Sequence, residues 1–413
     1  MNSNSTNTRE PARIWIGTLA FLLPFLSLVT LFGVSLVSFL FLISALISFK
    51  PARDALRRHW PQIRWVVLAF LLHFLFVLAC AVLRGASMGP VEKPARMLFA
   101  ASALAMVLAA RPPRATLWWG AAAGGLAALP FIAWQRLGLG IERPGGLINA
   151  ITFGDLALLL GLLALVGAID LRDRPRQALL AGAGALAGIA ASLMTGTRGG
   201  WLGLLLMGLV LLPRRGMFGT RRGGMLLAGA AVVLAAVWFA PGLGLHARFV
   251  EGVDEARDWY AGGQVWTNVG SRLELWKGAL MLVEERPLLG RDFEEGRARL
   301  AEYARAGTLD PMVLELPHLH NDGLQALATG GVVGFALWAA ILAAPLAFFL
   351  RRLGRDMRAP QFAAALAGVV VVLGYMGFGL TEVIFWSMKG SLFYALMVFM
   401  LVGFCLNAKE KIG

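Results

Sequence analysis

Apolar residues in this chain fall in long, nearly unbroken runs, and short polar clusters separate them. Neither strict alternation nor a one-sided helical stripe dominates, so surface strands and amphipathic surface helices are poor descriptions. A helix needs about 20 apolar residues to cross a bilayer. Twelve runs are candidates, at about 14–31, 32–49, 65–83, 97–110, 116–134, 151–169, 178–194, 201–213, 225–241, 324–350, 361–380 and 390–407. The runs at 97–110 and 201–213 are short and must borrow flanking residues. The pattern predicts an all-α polytopic membrane protein, one membrane domain over residues 1–413. Spans one to nine occupy 14–241, a large loop occupies 242–320, and the last three spans occupy 324–407.

Composition agrees. The 413 residues are 58% hydrophobic and only 15% charged, too little charge to cover a soluble protein of this length. A net charge of +14 on a soluble chain would suggest nucleic acid. Here the cations sit between apolar runs, which points to cytoplasmic loops and anionic lipid, not to nucleic acid. With the N-terminus inside, the inside segments hold 22 Lys and Arg, and the short outside loops hold 7. The expected topology thus has both termini in the cytoplasm and 242–320 outside. Cys80 and Cys405 lie in separate apolar runs and suggest neither a disulfide framework nor a metal site.

The outside loop carries charges of both signs, and Leu273 to Val283 and Phe293 to Ala306 are expected as short amphipathic helices. Three spots on this side could carry chemistry. In Thr195-Gly-Thr-Arg198-Gly-Gly, a glycine-rich turn presents one arginine, either to an anion or simply to lipid headgroups. In Gly270-Ser271-Arg272-Leu-Glu274-Leu-Trp276, an arginine opens a helix, and a surface salt bridge is the plainer explanation. In Pro317-His318-Leu319-His320-Asn321-Asp322, two histidines sit where the loop returns to the membrane. Two residues of separation without cysteines is a weak metal signal. A general base is the better use, since free imidazole titrates near 6.5. Asp155, about one turn into its span, is either functional or within reach of headgroup water.

Together these spots resemble the O-antigen ligase family and its clan of O-antigen polymerases and O-oligosaccharyltransferases. His320, Asn321, Gly331 and Gly334 match the ligase histidine motif. Arg198 and Leu202 match its Arg-x-x-x-Leu turn. Ser271, Arg272, Trp276, Pro287 and Gly290 match the clan's loop segment, and Arg143, Gly146 and Asn149 a stretch before a span. The resemblance implies an inverting glycosyltransferase of a Gram-negative inner membrane, working at the periplasmic face. The donor would be a glycan on undecaprenyl diphosphate, and the acceptor a sugar hydroxyl on lipid A–core. No cofactor or metal is expected. His320 would be the base, and Arg198 and Arg272 would bind the diphosphate. His318, Asn321, Arg143 and Asp155 are secondary candidates. A polymerase or a protein-directed transferase of the same clan is the near rival. A transporter is the rival of another class, but it would place ionisable residues mid-membrane.

Overall fold

The computed structural model describes residues 9–197, 199–211, 245–354 and 356–409. It is all-α in the described residues. Arg198 and the expected span at 225–241 lie outside them. The chain divides into two compact units, Met1–Met207 with Leu337–Gly413, and Gly208–Ala336.

The first unit holds α1 (Arg9–Val29), α2 (Gly33–Ile47), α3 (Phe49–Arg84), α4 (Gly89–Phe99) and α5 (Ala101–Ala110). Next come α6 (Ala115–Ala133) with a π-helical turn at Trp134–Gly138, then α7 (Ala150–Asp170), α8 (Pro175–Met194) and α9 (Gly199–Leu211). After the second unit follow the end of α13 (Asp322–Arg352), then α14 (Phe362–Phe378) and α15 (Met388–Lys409). Among the described residues, eight helical segments are long and apolar enough to cross a membrane. Three shorter apolar helices, α2, α9 and α14, fall on other expected runs. α4 and α5 together form one such segment, Gly89–Ala110, so the short run did borrow its flank. α3 is longer than its apolar run. It continues back through Lys50 to Arg64, because a helix leaving the apolar layer keeps its backbone bonds while charged side chains reach water.

Small residues let the helices close. A Cβ on Gly125 would lie 2.6 Å from Gly184 O, and one on Gly188 would lie 2.8 Å from Ala157 O. This is how membrane helices gain contact when lipid is as apolar as leucine. α15 is deeply enclosed, with Phe393 to Val402 at zero exposure. Its Tyr394 hydroxyl donates to Ile341 O at 2.8 Å, and Tyr375 on α14 donates to Gly390 O at 2.7 Å. Neither buried hydroxyl is left without a partner. Ile47, Trp65 and Leu83 stay 82%, 63% and 86% exposed, an apolar surface suited to lipid.

The second unit is built from α10 (Leu245–Tyr260), α11 (Gly270–Glu285), α12 (Phe293–Arg305), a 3-10 turn at Pro311–Leu314 and the start of α13. It has its own core of Leu275, Ala279, Leu282, Leu300, Leu309, Met312, Val313, Leu319 and Ala328. The sequence anticipates α11 and α12; α10 and the 3-10 turn are additional.

Candidate functional site

The histidine segment is held from three directions. Trp276 Nε1, on α11, donates to Leu319 O at 3.0 Å. Leu319 N donates to Gln325 Oε1 at 3.1 Å, and Asn321 Oδ1 accepts from Leu324 N at 2.9 Å, starting α13. Arg297 donates to the carbonyls of Leu314 and Leu316 and ties down the strap before His318. With its neighbours fixed, His320 takes a left-handed backbone, φ 49°. Few residues other than glycine adopt that region, and such strain persists only where surroundings enforce it. The rings of His318 and His320 meet edge to face at 4.4 Å. His318 also borders a cavity of about 40 Å³, with Leu275, Leu300 and Gln325 among its walls, room for about one water.

Arg272 lies one turn before Trp276, so both point from the same face of α11. It is half-buried and donates to Asn268 O. Glu274 is not its partner. That carboxylate is 4% exposed and accepts from Trp259 Nε1 and Asp310 N, each at 2.9 Å. The surface salt bridge that offers the plainer account of Arg272 is therefore not made with Glu274. Ser271 Oγ caps backward onto Thr267 O at 2.6 Å.

The motif glycines have a steric cause. α13 breaks at Gly331 (φ 61°, ψ −164°), which frees the amides of Val332 and Val333. They donate to Pro287 O at 2.8 Å and Leu288 O at 3.2 Å. Gly290, also left-handed at φ 62°, has Gly331 N, Ala328 O and Gly330 N only 2.6–2.7 Å from where a Cβ would stand. All three are backbone atoms and cannot rotate away. Gly290→Ala should therefore cost well over the roughly 1–2 kcal/mol of a left-handed alanine. Proteolysis of the detergent-solubilised protein should become fast between α11 and α13. Wild-type resistance would show that the turn and the break are not interlocked.

A carboxylate ties the end of α11 to α12. Arg299 forks onto Glu285 at 2.9 and 3.0 Å through Nε, and Tyr303 and Arg291 also donate to it. These bonds hold the Glu285 carboxyl down to about 2. Unfolded glutamate titrates near 4.3, so the contribution is complete above that pH and is lost as pH falls toward 2. The melting-temperature gap between wild type and Glu285→Gln should stay constant from pH 7 to about 5 and close on further acidification. A gap already closed at pH 6 would mean that the cluster adds nothing.

The remaining candidates lie in the first unit. Arg143 is exposed in the connection before α7. In that connection Gln135 bonds both backbone groups of Gly146, at 2.9 and 3.2 Å, and Asn149 caps α7 by accepting from Thr152 N at 2.7 Å. Asp155 is fully buried among the helices of the first unit, and Gly200 lies against it: a Cβ there would sit 3.1 Å from Oδ1. Thr195 and Thr197, which precede Arg198 in the chain, bond each other at 2.8 Å, and Thr197 donates to Ala150 O. Within the second unit, then, Arg272, Trp276, His318, His320 and Asn321 gather around one segment. The sequence motif does not reveal that Trp276 positions the histidines, since its partner is 43 residues away.

An uncharacterized protein of Haemophilus influenzae is 20% identical over 332 residues, 80% of this chain and 83% of that one. Residues 183–339, a stretch that contains Arg198, Arg272, His320 and both docked glycines, match the family model described as O-Antigen ligase, the family that the motifs resemble.

Proposed function

We propose that the chain is an O-antigen ligase, an inverting, metal-independent glycosyltransferase. It moves a glycan from undecaprenyl diphosphate to a sugar hydroxyl of lipid A–core. The reaction takes place at the periplasmic face of a Gram-negative inner membrane, with twelve spans and both termini in the cytoplasm.

The observation that carries this reading is the fixed histidine segment inside the matched stretch, with Arg272 one turn from the tryptophan that holds it. His320 takes the proton of the acceptor hydroxyl as its oxygen bonds to the anomeric carbon. The bond from that carbon to the diphosphate oxygen breaks from the opposite side, and its electron pair leaves with the lipid diphosphate. Arg272 and Arg198 meet the charge that builds there, as preorganised cations do at developing anions. Configuration inverts because a single displacement occurs.

The test is the lipopolysaccharide pattern of a deletion strain. Loss of the long ladder while full-length lipid-linked glycan accumulates supports a ligase. Cores bearing single repeat units would make it a polymerase, and an intact ladder with bare glycoproteins a protein-directed transferase.

A further inference from the structure

Two lysines at one rim of the first unit are held in an unusual way. The connection from α3 into α4 and the start of α15 carry Arg84, Lys93, Arg96 and Lys389 but one acid, Glu92. Arg96 takes that acid at 2.6 Å. Lys389 is half-buried and donates to Thr30 O at 2.7 Å. Lys93, also half-buried, lays its ammonium 4.7 Å from the centre of the Trp386 ring, three residues before Lys389. Lysines that merely snorkel stretch toward water and stay mobile. These two are instead turned down onto the protein, one against a carbonyl and one against a π face. Both neighbours are neutral. A carbonyl takes one of an ammonium's three donors and an indole face takes none as a full hydrogen bond. The rim therefore carries an excess of positive charge, with Glu92 shared between Arg96 and its neighbour Lys93, beside an aromatic residue of the type that marks the membrane interface.

We propose that Lys93 and Lys389 bind a phosphate of the acceptor glycolipid, with Trp386 packing on its sugar or acyl boundary. This rests on the ligase reading, in which the acceptor is a phosphate-bearing lipid in the same leaflet. The lysines would orient the acceptor and leave the donor diphosphate to the arginines. Fixed ammonium groups suit a lone phosphate, for which no planar fork is required.

The test uses the full-length protein in nanodiscs of neutral lipid, as wild type and as Lys93→Gln, Lys389→Gln and the double variant. Two acceptors are compared, native lipid A–core and the same lipid after phosphatase treatment. Each lost charged hydrogen bond is expected to weaken binding about tenfold. The double variant should raise KM for the phosphorylated acceptor by at least that factor and leave the donor KM unchanged. The preference for phosphorylated over dephosphorylated acceptor should shrink toward one. Equal losses with both acceptors would reduce the lysines to a structural role and overturn the proposal. A raised donor KM would overturn it in favour of the donor diphosphate. If wild type transfers nothing, the ligase reading fails first. Direct binding of labelled lipid A to the nanodiscs then still decides the site: binding that the double variant loses, and that phosphatidylglycerol does not displace, supports it. Displacement by phosphatidylglycerol would make it a general anionic-lipid contact and overturn it.

Discussion

Replacing His320 with alanine is expected to lower transfer by about 10²–10⁴-fold while lipid-diphosphate donor still binds, the usual loss for a positioned base. Single-turnover assays with saturating donor, alongside equilibrium donor binding, separate the two effects. The expectation follows from how the residue is presented. The Leu319 carbonyl and amide are both bonded, and Asn321 is locked as a helix cap. These backbone bonds do not involve the His320 ring, so they remain when it is removed, and only ring contacts such as that with His318 are lost. His318→Ala should be milder, because His318 faces the small cavity and starts no match to the histidine motif: Thr329 stands where the first glycine would be. A His320→Ala protein that turned over normally at saturating donor would make His320 a binding residue. The base would then be sought at Asp322.

Arg272→Ala is expected to cost about 10²–10³ in rate, the range for one preorganised donor to a developing anion. Arg198→Ala should match it. Arg272 has no partnership with Glu274 to lose, since that carboxylate is spent on Trp259 and Asp310. Proteolysis of the Arg272→Ala protein, read beside its rate, shows whether the second unit keeps its fold once the bond to Asn268 O is lost. Lysine at either position should recover only part of the rate, because a point charge replaces a planar fork. Equal activity in the alanine and lysine variants would return these arginines to headgroup contacts.

Much of the fold is legible because bilayer thickness imposes length on apolar runs. Eleven of the twelve runs coincide with described helices, and the twelfth lies outside the described residues. Lys50 to Arg64 illustrates the limit. Its charges suggest a cytoplasmic connection, yet α3 runs straight through it, Pro61 included. Apolarity shows where lipid is and says little about where a helix stops. α10 was illegible for the same reason, being amphipathic and charge-rich with no apolar run. In the site, residue identities were readable from motif spacing, but their causes were not. Gly290 and Gly331 look like two independent turns until their backbones are seen to touch, and no local pattern couples residues so far apart. Asp155 is visible in the sequence as an acid in a span, while its complete burial depends on Gly200 and the helices around it.

The backbone at His320 sets two kinds of selection against each other. At φ 49° a glycine would sit without strain, so His320→Gly should make the protein sturdier while removing its ring. On the proposed base role of His320, a screen that rewards yield or heat resistance alone is expected to drift toward glycine or asparagine at this position and deliver well-behaved protein without transfer. Any campaign to stabilise this chain must therefore select on transfer and robustness together, or exempt this one dihedral from improvement.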